Sequence, residues 1–173
     1  MMRSTIIDIF MQVFPTIVIC LVIYSTLRIA YLIKNKIKFH FINETFLLVF
    51  IAYVLCLFYV VTYQDVSGIG TINVTPFQEI FRYEFGSSLF IKNIVGNVLM
   101  FIPYGFFVSY FLKEKRTFII LILTLVVSTT IEYTQLKIGR VFDIDDILLN
   151  LIGGMLGSFI YIGFTKIGEL FKK

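Results

Sequence analysis

The chain has 173 residues, of which 58% are hydrophobic and only 15% are charged, and its formal net charge is +4. Ordinary soluble domains carry about 25% charged residues, and a compact soluble fold of this size would leave much of this apolar surface in water. The composition therefore excludes an ordinary soluble protein and predicts an integral membrane protein. No aromatic-basic motif accompanies the positive charge, so no nucleic-acid partner is expected.

Five apolar runs are long enough, or nearly so, to cross a hydrocarbon core, which requires about 20 helical residues. They cover residues 13–33, 46–63, 94–112, 117–133 and 146–164. Apolar side chains occupy all sides of these runs, which are also too long for alternating barrel strands. The predicted fold is all-α, a polytopic transmembrane bundle of about five helices.

Most basic residues fall near the end of the first run, in alternate segments between the runs and in the tail. These residues are Arg28, Lys34, Lys36, Lys38, Lys113, Lys115, Arg116, Lys166, Lys172 and Lys173. Because cytoplasmic loops carry an excess of Lys and Arg, this pattern predicts an external N-terminus and a cytosolic C-terminus. The single histidine, His40, then lies in a cytosolic loop, which excludes a histidine-based triad on the outer face.

The predicted outer loop between the second and third helices contains a helix-start pattern. Thr75 is the expected N-cap, Pro76 lies in the first turn, and Gln78 completes a capping box. Apolar residues then recur at helical spacing as far as Gly86. A short amphipathic helix should therefore lie in the outer interface, either as a lid packed on the bundle or as a flap that contacts lipid or ligand.

Small and helix-breaking residues interrupt the third and fifth helices. Pro103 and Gly105 fall at mid-membrane depth, where they indicate either a structural kink or a segment that lines a wet cavity. Gly153 and Gly157 lie one turn apart on the fifth helix and would allow a neighbouring helix to approach closely. These four positions are the predicted kink and packing residues.

Polar residues concentrate at the predicted outer ends of the last three helices. The candidate pocket contains Asn97, Glu132, Gln135, Arg140, Asp143, Asp145, Asp146 and Asn150. Ionisable groups at the membrane edge are costly unless they are paired, so they are candidate functional residues. Asp143 or Asp145 could instead cap the fifth helix, and Glu132 could form a structural ion pair with Arg140.

Three ordered segments of the chain resemble the VanZ-like family. They are residues 97–105 (NVLMFIPYG), 132–135 (EYTQ) and 140–154 (RVFDIDDILLNLIGG), and the sequence TPF at 75–77 also fits. The resemblance implies a bacterial cell-envelope membrane protein, in a family named for members linked to low-level resistance to teicoplanin-type glycopeptide antibiotics. The apolar runs and this resemblance together divide the chain into four parts. Residues 1–45 hold the first helix and a cytosolic loop, and residues 46–74 hold the second helix and the start of the outer loop. Residues 75–164 form the VanZ-like domain, with the interfacial helix and three transmembrane helices, and residues 165–173 form a cytosolic tail.

Function at the level of chemistry stays open between two main classes. In the first, an outward-facing polar pocket binds a lipid-linked cell-wall precursor or an acylated glycopeptide antibiotic, with membrane lipids around it. In the alternative, an enzyme uses Glu132, Asp143, Asp145 and Asp146 on an envelope lipid, with Mg²⁺ or Ca²⁺ bound by the three aspartates. The spacing matches no metal motif, so no cofactor is firmly predicted. A transporter is the weakest hypothesis because five helices without an internal repeat lack the usual architecture.

Overall fold

The computed structural model describes residues 2–62, 69–113 and 117–171. Five helices in these ranges are long and apolar enough to cross a membrane, which confirms the prediction of a polytopic helical membrane protein. Their candidate spans are Phe14–Lys34, Phe41–Val60, Ser88–Leu112, Thr117–Lys137 and Ile144–Leu170. The chain divides into two compact units, Met1–Tyr63 and Gln64–Lys173.

The first unit is a hairpin of two helices. Helix α1 covers Met2–Lys34 and α2 covers Phe41–Thr62. The second helix thus begins at Phe41 rather than at residue 46, because the charge of Glu44 is matched inside the hairpin. The Nε and Nη2 groups of Arg28 donate to the two carboxylate oxygens of Glu44, both at 2.9 Å. A bidentate pair of this kind lets a helix keep a carboxylate near the end of its membrane span.

The second unit contains three long helices and a shorter connecting segment, residues 69–87. Its elements in chain order are β1 (Ile72–Asn73), α3 (Gln78–Arg82), α4 (Ser88–Phe90), a π-helical turn (Ile91–Val95), α5 (Gly96–Leu112), α6 (Thr117–Lys137), β2 (Phe142–Asp143) and α7 (Ile144–Leu170). The two short strands pair in parallel, so the connecting segment is tied to the chain that enters α7. This pairing was not predicted from the sequence.

The capping predicted for the connecting segment is wrong. The N-cap residue of α3 is Phe77, which has a left-handed φ of 68° and no side-chain capping bond. The Thr75 N–H instead donates to Asn73 Oδ1 at 3.1 Å in a local turn. The side chain of Asp145 accepts hydrogen bonds from N–H groups at the start of α3, which begins at Gln78. The helix ends at Arg82, before the predicted end at Gly86.

Helices α5 and α7 pack in close contact through glycines. A Cβ atom at Gly105, Gly153 or Gly157 would lie 2.0 to 2.3 Å from a backbone carbonyl oxygen of the partner helix. No side chain fits in that space, so these residues allow backbone to meet backbone. Helix α5 stays α-helical through Pro103, and the irregular backbone is the π-helical turn that precedes it.

Helix α6 presents a buried stripe in which polar side chains are interspersed with isoleucines. Its members are Ile120, Thr124, Ser128, Ile131, Glu132 and Gln135. In the apolar half, Thr124 satisfies its hydroxyl by donating to the Ile120 carbonyl at 2.7 Å, and it contacts Gly154 of α7 closely. The stripe becomes more polar toward the end of α6, where the candidate site begins.

Candidate functional site

A cluster of buried polar side chains lies where α6 ends and α7 begins. Its most buried members, Glu132, Gln135, Asp143, Asp145 and Asn150, each expose 6% of their surface or less. We use the name polar cluster for these five residues together with Asn97, Arg140 and Asp146. Buried polar groups are stable only when they are hydrogen bonded or paired. The hydrogen-bond partners of each residue therefore show which members of the cluster are available to bind a ligand.

Asp145 anchors the connecting segment to the first turn of α7. Its carboxylate accepts hydrogen bonds from the backbone N–H groups of Phe77, of Glu79 at 2.8 Å and of Ile80 at 3.3 Å. Three N–H groups converging on one carboxylate resemble the backbone concavities that bind anions. Asp145 therefore caps α3, a role that the sequence pattern had assigned to Thr75. The Asp145 carboxylate oxygens are occupied by hydrogen bonds within the protein.

Asp143 caps α7 and also joins three parts of the cluster. Its Oδ1 accepts from the Asp145 N–H at 2.9 Å, and its Oδ2 accepts from Asn73 Nδ2 at 3.1 Å. Its own backbone N–H donates to Glu132 Oε2 at 2.9 Å. Burial raises the pKa of the Asp143 carboxyl above its ordinary value, although the hydrogen bonds that it accepts from Asp145 and Asn73 act in the opposite direction. Of the two aspartates considered for the cap, the structure uses Asp143.

Gln135 bridges Glu132 and Arg140. In the amide orientation that satisfies both neighbours, its nitrogen donates to the Glu132 carboxylate oxygens at 3.0 and 3.2 Å, and its oxygen accepts from Arg140 Nη1 at 2.7 Å. Gly139, with φ of 86°, turns the chain after α6 and brings Arg140 back toward the helix end. Glu132 and Arg140 are therefore connected through the Gln135 amide, which lies between them.

Asp146 and Asn150 lie one turn apart on α7, about 6 Å along its axis. The Asp146 carboxylate accepts a hydrogen bond from Asn97 Nδ2 of α5, and Asn150 Nδ2 donates to Ser128 Oγ of α6 at 2.8 Å. The Asn150 Oδ1 atom has no hydrogen-bond partner, although only 3% of the residue is exposed. Leaving such an oxygen unsatisfied costs about 1–3 kcal/mol, so this position would accept a donor from a ligand.

Three residues outside the predicted set contribute to the cluster or its border. Ser128 lies four residues before Glu132 on the same face of α6, so helical spacing could have identified it. Glu79 pairs with Arg82 at 2.7 Å and accepts from the Tyr83 hydroxyl at 2.9 Å. Asn73, the partner of Asp143, gives no signal in the sequence because its contact depends on the β1–β2 pairing.

The connecting segment exposes three aromatic rings beside the cluster. Phe77, Phe81 and Phe85 are 53%, 83% and 87% exposed. The segment is fixed to the start of one candidate span by Asp145 and leads directly into another, which begins at Ser88. Its rings are therefore positioned at the end of two membrane-spanning helices, where an apolar surface would contact lipid or an acyl chain.

The carboxylates of the cluster do not form a metal site. In residues 2–62, 69–113 and 117–171, no group of three or more His, Cys, Asp or Glu residues could hold a metal ion. Asp143 and Asp145 direct their oxygens at N–H donors rather than at a shared position. Mg²⁺ and Ca²⁺ require several oxygen ligands around one point, so the three aspartates do not fit such an ion.

Comparison with known proteins identifies a family. A family model described as VanZ/LLP1 matches residues 45–167, which contain α5, α6, nearly all of α7 and every member of the polar cluster. No curated protein and no solved structure matches the chain. The matched range also includes most of α2, so it extends further toward the N-terminus than the resemblance found from residues 75–164.

Proposed function

The chain belongs to the VanZ/LLP1 family, and on that basis we propose that it is a bacterial cell-envelope protein that binds an acylated or lipid-linked ligand. Binding lowers susceptibility to teicoplanin-type glycopeptide antibiotics without any change in covalent bonds. The ligand is either the acylated antibiotic or a lipid-linked cell-wall precursor. The site is the polar cluster, in which Asp146 and Asn150 contact the ligand while Asp143 and Asp145 hold the surrounding backbone.

The single observation that carries this proposal is the unsatisfied Oδ1 atom of Asn150. Nearly every buried polar atom in a native protein has a partner, and the other cluster oxygens described above accept hydrogen bonds within the chain. An amide oxygen left without a donor, one turn from a carboxylate, is suited to a ligand N–H or O–H group. This arrangement supports a recognition role more directly than a catalytic one.

The charge of the cluster restricts the ligand. Four carboxylates, those of Glu132, Asp143, Asp145 and Asp146, are accompanied by the single guanidinium of Arg140. The unsatisfied Asn150 oxygen and the neighbouring Asp146 carboxylate are both acceptors, so they favour a ligand group rich in N–H and O–H donors and disfavour a bare phosphate. Peptide amides, amines and sugar hydroxyls have the required chemistry, and both proposed ligands carry such groups.

The exposed aromatic rings provide the second half of the site. Phe77, Phe81 and Phe85 lie on the segment that Asp145 fixes beside the cluster, so an apolar chain on the ligand could pack against them while its polar part enters the cluster. Selectivity for acylated over non-acylated ligands then follows from the area of apolar surface buried, at about 25 cal/mol per Å².

The proposal places the polar cluster on the external side of the membrane. The asymmetry of Lys and Arg supports this orientation, with the N-terminus outside and the C-terminus in the cytosol. In a variant lacking Cys20 and Cys56, a cysteine placed at Glu79 should react with an impermeant thiol reagent in intact cells, and one at Lys36 should be protected. The opposite labelling pattern would invert the orientation and remove the external site.

Antibiotic susceptibility tests the proposed function. Cells that produce the wild-type protein should tolerate more teicoplanin than cells without it, and Asn150→Leu and Asp146→Asn should lose this difference. Leucine removes the unsatisfied oxygen and also the hydrogen bond from Asn150 Nδ2 to Ser128 Oγ, so accumulation in the membrane is measured alongside tolerance. Ser128→Ala removes that bond alone and should retain tolerance. The matched control is Glu84→Gln, which changes an exposed acid on the connecting segment and should retain tolerance. Full tolerance in both cluster variants would contradict the proposal.

A further inference from the structure

The end of α1 has a fixed backbone conformation that positions three lysines. Lys36 has a left-handed φ of 53° and ends the helix, while the Ile37 N–H donates to the Leu32 carbonyl at 3.0 Å. A second bond joins the Lys36 N–H to the Ile33 carbonyl at 3.2 Å. This pair of bonds is typical of a helix C-terminus, and it folds the following chain back over the last turn of the helix.

A cavity of about 400 Å³ lies between that last turn and the returning chain. Its lining is formed by Ile29, Leu32, Ile33, Lys36, Ile37, Lys38 and Phe39. The apolar residues on the helix side belong to the span Phe14–Lys34, so they lie at the edge of the hydrocarbon region. The cavity therefore has a mainly apolar lining, to which the returning chain adds two basic residues, Lys36 and Lys38.

The lysines at this cavity carry uncompensated charge. In the part of the chain that the structure describes, Lys34, Lys36 and Lys38 form no salt bridge, and the nearby acid Glu44 is already occupied by Arg28. Lys36 and Lys38 are exposed and border the cavity directly. Three free ammonium groups above an apolar surface are complementary to an anionic headgroup with its attached chains.

We infer that this cavity, formed by the end of α1 and residues 36–39, is a binding site for one anionic phospholipid. Its phosphate is bound by Lys36 and Lys38, with Lys34 adding to the field, and the upper part of an acyl chain lies against Ile33 and Ile37. The site lies wholly within the first unit. It is therefore independent of the polar cluster and of the function proposed for it.

The full-length protein in detergent allows a direct test with lipids of matched chains. Phosphatidylglycerol should raise the melting temperature more than phosphatidylcholine, and native mass spectrometry should retain one additional phosphatidylglycerol molecule per chain. Inorganic phosphate at the same concentration should produce neither effect, because it offers no apolar part to the cavity. Equal responses to the two lipids, or an equal response to inorganic phosphate, would overturn the inference.

Charge variants assign the effect to the site. Lys34→Gln, Lys36→Gln and Lys38→Gln together should abolish the preference for phosphatidylglycerol, with a loss of about fivefold in affinity for each lysine. The same three positions changed to Arg should keep it. Lys113→Gln is the matched control, because Lys113 also ends a helix with a left-handed φ of 51°. The triple glutamine variant should melt like wild type without added lipid. An unchanged preference for phosphatidylglycerol in this triple variant would refute the site.

Discussion

Replacement of Asp145 by asparagine should release the connecting segment from α7. The Asp145 carboxylate is completely buried and accepts hydrogen bonds from the backbone N–H groups of Phe77, Glu79 and Ile80. Asparagine has nearly the same shape, but it replaces one acceptor oxygen with an NH₂ donor. That donor would face N–H groups that are themselves donors, so at least one close bond is lost and a buried group is left unsatisfied.

The size of the effect follows from these contacts. A hydrogen bond to a charged group contributes about 1.5–3 kcal/mol, and an unsatisfied buried donor costs about 1–3 kcal/mol more. The bond to Ile80, at 3.3 Å, is long and contributes least. A total near the lower end of the summed range, about 2.7 kcal/mol, corresponds to an increase of roughly 100-fold in the opening of the segment.

Hydrogen exchange of the full-length protein in lipid nanodiscs measures this opening directly. In Asp145→Asn, the backbone amides of Phe77, Glu79 and Ile80 should exchange roughly 100-fold faster, while those in the middle of α7 should keep their protection. The exposed acid Glu84 lies on the same segment, so Glu84→Gln should leave exchange unchanged. Unaltered protection of residues 77–80 in Asp145→Asn would refute the anchoring role.

Two further predictions concern the contacts of the second unit. The first is a double-mutant cycle of Glu132→Gln and Arg140→Gln, read as losses of thermal stability. The two losses should be non-additive in the wild-type background, because the Gln135 amide joins the two side chains, and additive in a Gln135→Leu background. Coupling that persists without Gln135 would show a direct pair. Gly157→Ala should destabilise the protein because its Cβ would lie 2.0 Å from a carbonyl oxygen of α5, whereas Gly163→Ala, with no atom within 4 Å, should be neutral or stabilising by up to about 1 kcal/mol. Equal effects of the two alanines on the melting temperature would contradict the close packing of α5 and α7.

The membrane-spanning fold could be predicted because apolar runs report directly on the solvent that surrounds them. Each of the five runs corresponds to a helix, and errors are confined to the ends. Helix α2 begins earlier than expected because Glu44 is neutralised by Arg28 in the other helix of the hairpin. A partner distant in sequence sets that boundary, so local hydrophobicity alone could not identify it.

The residues of the candidate site could be identified more easily than their individual roles. Polar groups at helix ends are easy to recognise in an apolar chain. For this reason the sequence was sufficient to include Asp143, Asp145 and Asn150 in the candidate pocket. Their functions depend on long-range contacts, since Asp145 caps a segment 65 to 68 residues away in the chain. Local capping rules assigned that cap to Thr75, because a capping box considers only neighbours in sequence.

Binding of an acylated ligand to the polar cluster tests the central proposal most directly. The purified protein in lipid nanodiscs should bind teicoplanin more tightly than a glycopeptide of the same type that lacks the acyl chain. Asn150→Leu should weaken binding by about tenfold, the equivalent of one hydrogen bond to the Asn150 Oδ1 atom. Ser128→Ala, which removes only the bond from Asn150 Nδ2, should bind like wild type. Equal affinity of wild type and Asn150→Leu for teicoplanin would contradict the proposal that this buried oxygen is part of a ligand site.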